Sequence, residues 1–150
     1  MTIIKEKTIQ EARKAIDKAI AEKTKKQKII VEARDEEFNR KILENKKVNI
    51  LLNPGIQGQD RLKQRDSGLN EVLCKIASDN GIKIAFNLEE IIKKKGKERA
   101  ILLSRLIQNI MLCKKAGTEI EFLGKYDKRN LFSLLLTLGA STSQAKQAIQ

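Results

Sequence analysis

Four short apolar segments, Lys28–Ala33, Val48–Leu52, Ile82–Phe86 and Glu119–Leu123, alternate with longer stretches whose apolar residues recur at helical spacing. Strands separated by helices pair in parallel through right-handed crossovers. That alternation restricts the chain to an α/β architecture, either an open sheet or part of a β/α barrel. Pattern alone does not choose between these two. The 150 residues suit a single domain, and no Pro- or Ser-rich linker divides them.

The first helical stripe runs from Ile9 to Lys23 behind Thr8, and a second from Asp35 to Asn45 carries acidic residues in its first turn. Asn53-Pro54-Gly55 closes the second strand, and a long polar loop leads to Ser67. The next helix, Gly68 to Asn80, presents Leu69, Val72, Leu73, Ile76 and Ala77 on one face and ends at Gly81. Leu88 to Lys95 forms a short helix and Glu98 to Ala116 the longest one. Asn130–Leu138 and Ser141–Gln150 supply the last two.

Charge narrows the function. The chain carries 31 Lys+Arg against 19 Asp+Glu, a formal net charge of +12. Such a surplus attracts polyanions. Aromatics make up only 3% and Trp is absent, so base stacking is not the main contact expected. Shape- and phosphate-reading of structured RNA suits this composition. With no histidine, the usual general base and metal ligand is missing, and no phosphate-loop or dinucleotide glycine pattern occurs. Cys74 and Cys113, far apart in sequence, read as buried free thiols. No apolar run is long enough to cross a bilayer, and a cytoplasmic location is expected.

Three places hold candidate site residues. Ser67 reads as the cap of the helix that follows, with Asp66 at the positive end of the dipole. Arg61, Lys63 and Arg65 crowd the loop before it, which with the open amides of a helix start would make an anion site. The longest helix shows one apolar face of Ala100, Leu103, Leu106, Ile107, Ile110 and Met111. Ile101 and Leu112 flank Arg105 on the other side, from which Arg105 and Asn109 could reach outward. That two-sided apolarity predicts burial by neighbours or a partner. Leu131 and Leu135 lie on a helix apolar almost all round, core or interface. The run Lys93-Lys94-Lys95-Gly96-Lys97 reads as a solvated turn, and Glu119, Glu121, Glu89 and Glu90 as carboxylates balancing lysines.

Asp66-Ser67-Gly68-Leu69-Asn70 followed by Val72-Leu73 resembles a signature of archaeal ribonuclease P protein component 3, related to the eukaryotic thirty-kilodalton subunit. Further similarities follow in order: Asn39-Arg40 with Leu43-Glu44, Val48–Leu51 leading to Pro54, and Ile84–Leu88. Then come Arg99, Leu102, Arg105, Asn109, Leu112-Cys113-Lys114 and Gly117, and finally Asn130-Leu131 with Leu138-Gly139. The resemblance implies a TIM-like β/α barrel, incomplete or truncated at the N-terminus because the family's first strand and helix precede the matched part. It also implies a non-catalytic RNA-binding subunit of ribonuclease P. The RNA would remove the 5′ leader of precursor tRNA with Mg2+ ions of its own, and the protein would bring no cofactor. Expected partners are ribonuclease P RNA, precursor tRNA indirectly, a ferredoxin-like protein subunit and other ribonuclease P proteins, with no membrane. RNA contacts would come from Arg61, Lys63, Arg65, Asn70, Arg99, Arg105 and Lys114, and protein contacts from Ile101, Leu112, Leu131 and Leu135. Two alternatives stay open: a degenerate metal-dependent phosphoesterase, and a mainly protein-binding scaffold.

Overall fold

The computed structural model describes residues 1–22, 26–57, 60 and 62–150. Among these residues five parallel strands stand in consecutive order, β1 (Thr2–Ile4), β2 (Ile29–Glu32), β3 (Ile50–Leu52), β4 (Lys83–Asn87) and β5 (Ile120–Leu123). The helices among the described residues are α1 (Ile9–Ala21), α2 (Glu36–Leu43), α3 (Glu71–Asp79), α4 (Leu88–Lys93), α5 (Gly96–Ala116), α6 (Lys128–Thr137) and α7 (Thr142–Ala148). Consecutive order means the chain never doubles back across the sheet, unlike a doubly wound fold, whose strand order reverses. Among the described residues β1 and β5 are the two free edges of the sheet.

Strand alternation divides the core in two. Ile29, Val31, Leu51, Ile84, Phe86, Ile120 and Phe122 point to one face, where residues from all seven helices cover them. Ile30, Ile50, Leu52 and Ala85 point to the other and form a small cluster with Leu123 against it. Each fully buried Ile or Leu stabilises by about 1.5–3 kcal/mol, so the helix-covered face dominates the energetics. Phe86 and Phe122 meet there with ring centroids 5.6 Å apart.

Local capping sets the helix starts. The side chains of Thr8, Asp35, Asn70, Asn87, Asp127 and Ser141 each accept a backbone N–H of the helix they precede. This shifts α3 from its expected start: Asn70, not Ser67, is the cap, accepting from Leu73 N at 2.8 Å. Ser67 is 1% exposed, and its hydroxyl donates back to the Leu69 carbonyl. A strand also precedes β2, where none was foreseen. β1 has only three residues, too few for alternation to register, and pairing with Ile29–Val31 fixes it.

The long helix α5 is rotated relative to expectation. Its buried residues are Leu102, Arg105, Leu106, Asn109, Ile110 and Cys113, while Ile107 and Met111 face solvent. The polar pair turned inward because it binds a loop, described next. Leu131 and Leu135, expected as partner contacts, are 2% and 0% exposed and belong to the chain's own core. Leu112 is half-buried against that core, and Ile101 is half-buried. Cys74 and Cys113 are both buried between α3 and α5; contact with Cys74, together with burial, pushes the Cys113 thiol up.

Candidate nucleic-acid interface

In a parallel sheet the loops leaving the carboxyl ends of the strands form the natural binding rim. Here the loops after β2 and β3 border a cleft of about 930 Å³. Arg34 and Asp35 come from the first loop, Asn53, Gly55 and Gln57 from the start of the second, and Gln64 to Asn70 from its end. Gln108 and Leu112 of α5 complete one wall.

Three buried side chains from two helices hold the β3–α3 loop. Asn109, 0% exposed, donates to the carbonyls of Ser67 at 2.9 Å and Pro54 at 3.3 Å, joining the loop's two ends. One helical turn earlier, Arg105 donates to the Gly55 carbonyl at 2.7 Å and to Asp60 at 3.0 Å. From α2, Asn39 donates to the Gly68 carbonyl at 3.3 Å and accepts from Arg34 N at 2.7 Å. Gly55 and Gly68 lie against each other with φ of 90° and 81°. A Cβ on Gly55 would stand 2.5 Å from the Ser67 carbonyl oxygen, and one on Gly68 2.6 Å from Gly55 N. Only glycine allows both the left-handed backbone and this approach.

These contacts redistribute the candidate residues. Arg105 does not reach outward: at 7% exposure its guanidinium is consumed by Gly55 and Asp60. Arg65 also faces Asp60, at 3.4 Å. Asp60 is held below the usual carboxylate range, chiefly by the Asp66 N–H it accepts; desolvation opposes this, and the neighbouring Arg105 and Arg65 add to the lowering. Lys63 is exposed, in the left-handed region at φ 62°. Arg61 lies outside the described residues. Asn70 is spent on capping α3, and its amide donates to Glu36 at 3.0 Å.

Acidic side chains crowd the start of α3. The cleft beside it is lined, among the described residues, by Asp35, Glu36, Glu37, Asp66 and Glu71 against Lys7, Arg34 and Arg65. Several of these carboxylates are engaged in the fold itself. Asp35 caps α2, Asp66 accepts from Gly68 N at 2.9 Å, and Glu71 pairs with Lys115. Among the described residues this lining carries a negative excess, which disfavours phosphate. Elsewhere, Arg99 is exposed and donates to the carbonyls of Lys94 and Ile92, while exposed Lys114 donates to the Gly139 carbonyl at 3.0 Å. Both retain solvent contact.

Two residues of the rim were not among the candidate site residues. Arg34 bridges the β1–α1 segment and the long loop, donating to Lys5 O at 2.7 Å and Gln57 Oε1 at 2.6 Å. Its position just past a strand's carboxyl end was the available signal. Asn53 is 4% exposed at φ 57°, accepts from Asn87 N at 2.7 Å and donates to Glu90 at 3.2 Å. Among the described residues no group of three or more Cys, Asp or Glu side chains is arranged to hold a metal ion, and no helix is long and apolar enough to cross a membrane.

No family model matches the chain. It is 35% identical over 106 residues to ribonuclease P protein component 3 of Methanococcus vannielii, a match covering 70% of this chain and 43% of that protein. With ribonuclease P protein component 3 of Methanosarcina acetivorans it shares 32% identity over 128 residues, 81% of this chain and 51% of the relative. The chain thus spans about half the length of these relatives. Among solved structures it is similar to a chain in a cryo-EM structure of archaeal ribonuclease P with mature tRNA. The TM-score is 0.78 at 26% identity, covering 97% of this chain and 62% of that one.

Proposed function

We propose that this chain, a homologue of the archaeal proteins called ribonuclease P protein component 3 over the part of them it spans, is a non-catalytic RNA-binding subunit of ribonuclease P. The observation that carries the reading is the agreement of sequence and fold: relatives above 30% identity and a structural counterpart inside an archaeal ribonuclease P assembly with tRNA. In this reading the RNA removes the 5′ leader of precursor tRNA with its own Mg2+, and the protein stabilises the active RNA.

The consecutive parallel strands, with helices on one face, fit a portion of a TIM-like barrel. Ribonuclease P RNA and other ribonuclease P proteins, among them a ferredoxin-like subunit, are the proposed partners, met in the cytoplasm. A net charge of +12 supports a large phosphate contribution to binding. The cations left solvent-exposed, Lys63, Arg65, Arg99 and Lys114, are candidates for it, whereas Arg105 acts through the loop it holds. The rim carboxylates favour a non-catalytic role because several are engaged in caps, turns and ion pairs.

The test is a binding titration against an archaeal ribonuclease P RNA transcript, coupled to leader removal by the reconstituted enzyme. A subunit neutralising about six phosphates loses about a thousandfold in affinity between about 50 and 200 mM salt. Flat salt dependence, with no change in cleavage on adding the protein, would contradict the proposal.

A further inference from the structure

The sequence run that read as a solvated turn is better placed for RNA than the loop that read as a site. Resting on the ribonuclease P reading, we propose that Lys93 at the end of α4, Lys94 and Lys95 in the turn, and Lys97 in the first turn of α5 bind successive phosphates of the ribonuclease P RNA. Every residue from Ile92 to Ala100 is exposed. Lys93 to Arg99 holds five cations against one carboxylate, Glu98, whose ion pair among the described residues is with Lys94, at 3.9 Å. By contrast, Lys41, Lys47, Lys83 and Lys115 each sit within 3 Å of an acidic partner.

The backbone of the turn is fixed although its lysine side chains extend into water. Arg99 donates to Lys94 O at 2.6 Å and to Ile92 O at 2.9 Å, tying the start of α5 back onto the end of α4. Gly96, at φ 56°, lets the chain reverse between the two helices. A pinned turn loses less conformational freedom on binding than a floppy polybasic segment.

Geometry gives the turn reach. The 21 residues of α5 extend about 31 Å, whereas the longest strand, with five residues, covers only about 17 Å. Because α5 leads into the amino end of β5, its own start overhangs the carboxyl ends of the strands. The lysines therefore stand clear of the acid-lined cleft. A protein partner would want an aromatic or aliphatic anchor, and a membrane surface an apolar face to insert; beside the cations only Ile92 is large and apolar here. A phosphate backbone needs neither.

The test compares two variants of equal charge in the full chain. One carries Lys93, Lys94, Lys95 and Lys97→Gln; the control carries Lys14, Lys18, Lys26 and Lys46→Gln, all exposed and away from the turn. Binding to an archaeal ribonuclease P RNA transcript is followed across about 50–200 mM salt, and thermal melts establish that both variants fold. The turn variant should show a logarithmic salt slope shallower by about three, with the control at the wild-type slope. Equal loss in both variants, or none in the turn variant, overturns the proposal and leaves the ribonuclease P reading standing. A flat wild-type slope removes both. Unchanged RNA binding with lost binding to phosphatidylcholine–phosphatidylserine vesicles assigns the turn to a lipid surface and also overturns the proposal.

Discussion

The β3–α3 loop and the α4–α5 turn are both rich in cations, and their fates in the fold are opposite. In the loop, Arg65 faces Asp60, Asp66 and Asp60 are tied into the backbone, and among the described residues the neighbouring cleft carries more carboxylates than cations. In the turn, a single glutamate offsets five positive side chains. The loop is also held by buried donors from α2 and α5, whereas the turn is held by one exposed arginine. Density of positive residues in a sequence thus identifies candidates, and pairing in the fold decides which remain available to phosphate.

If the loop is primarily a structural clamp, its substitutions should act on stability first. The largest effect is expected for Gly55→Ala, whose Cβ would meet the Ser67 carbonyl at 2.5 Å with φ at 90°. Strain and overpacking together should cost about 3–5 kcal/mol in chemical denaturation. Asn109→Leu comes next. It orphans the buried carbonyls of Pro54 and Ser67, a loss of about 2–4 kcal/mol, with the RNA salt slope of the folded fraction unchanged. A neutral Asn109→Leu would break the contrast between the regions.

Smaller effects sharpen the comparison. Lys63→Gln with Arg65→Gln should reduce the salt slope by about one or less, because Asp60 already neutralises part of Arg65. A drop matching that of the turn variant would restore the loop as the main RNA contact. The smallest effect concerns acid. The folded-state pKa of Asp60 is lowered, so its contribution is present above the ordinary value of 3.8 and fades as pH falls through the lower folded value. Asp60→Asn should therefore narrow the stability gap to wild type below about pH 4, read from melting curves.

The α/β class, all four predicted strands and the general positions of the helices were legible because burial imposes period 2 on strands and 3.6 on helices. The orientation of α5 was not. Its apolar residues occur on several sides, so periodicity could not disclose that Arg105 and Asn109 face inward. Apart from Asp60, their partners are backbone carbonyls of a loop some forty to fifty-five residues earlier, and carbonyls leave no mark in side-chain identity. The true cap of α3 was similarly hidden, since Asp66, Ser67 and Asn70 are all competent and only the buried path of the loop selects Asn70. Leu131 and Leu135 showed apolarity without showing whether it served core or partner.

Photochemical crosslinking within the reconstituted ribonucleoprotein, with adducts mapped by mass spectrometry, separates the two regions most directly. The account predicts RNA adducts on the segment Lys93–Arg99 and few on Leu62–Asn70. Adducts concentrated on Leu62–Asn70, with Lys93–Arg99 unmodified, would contradict it.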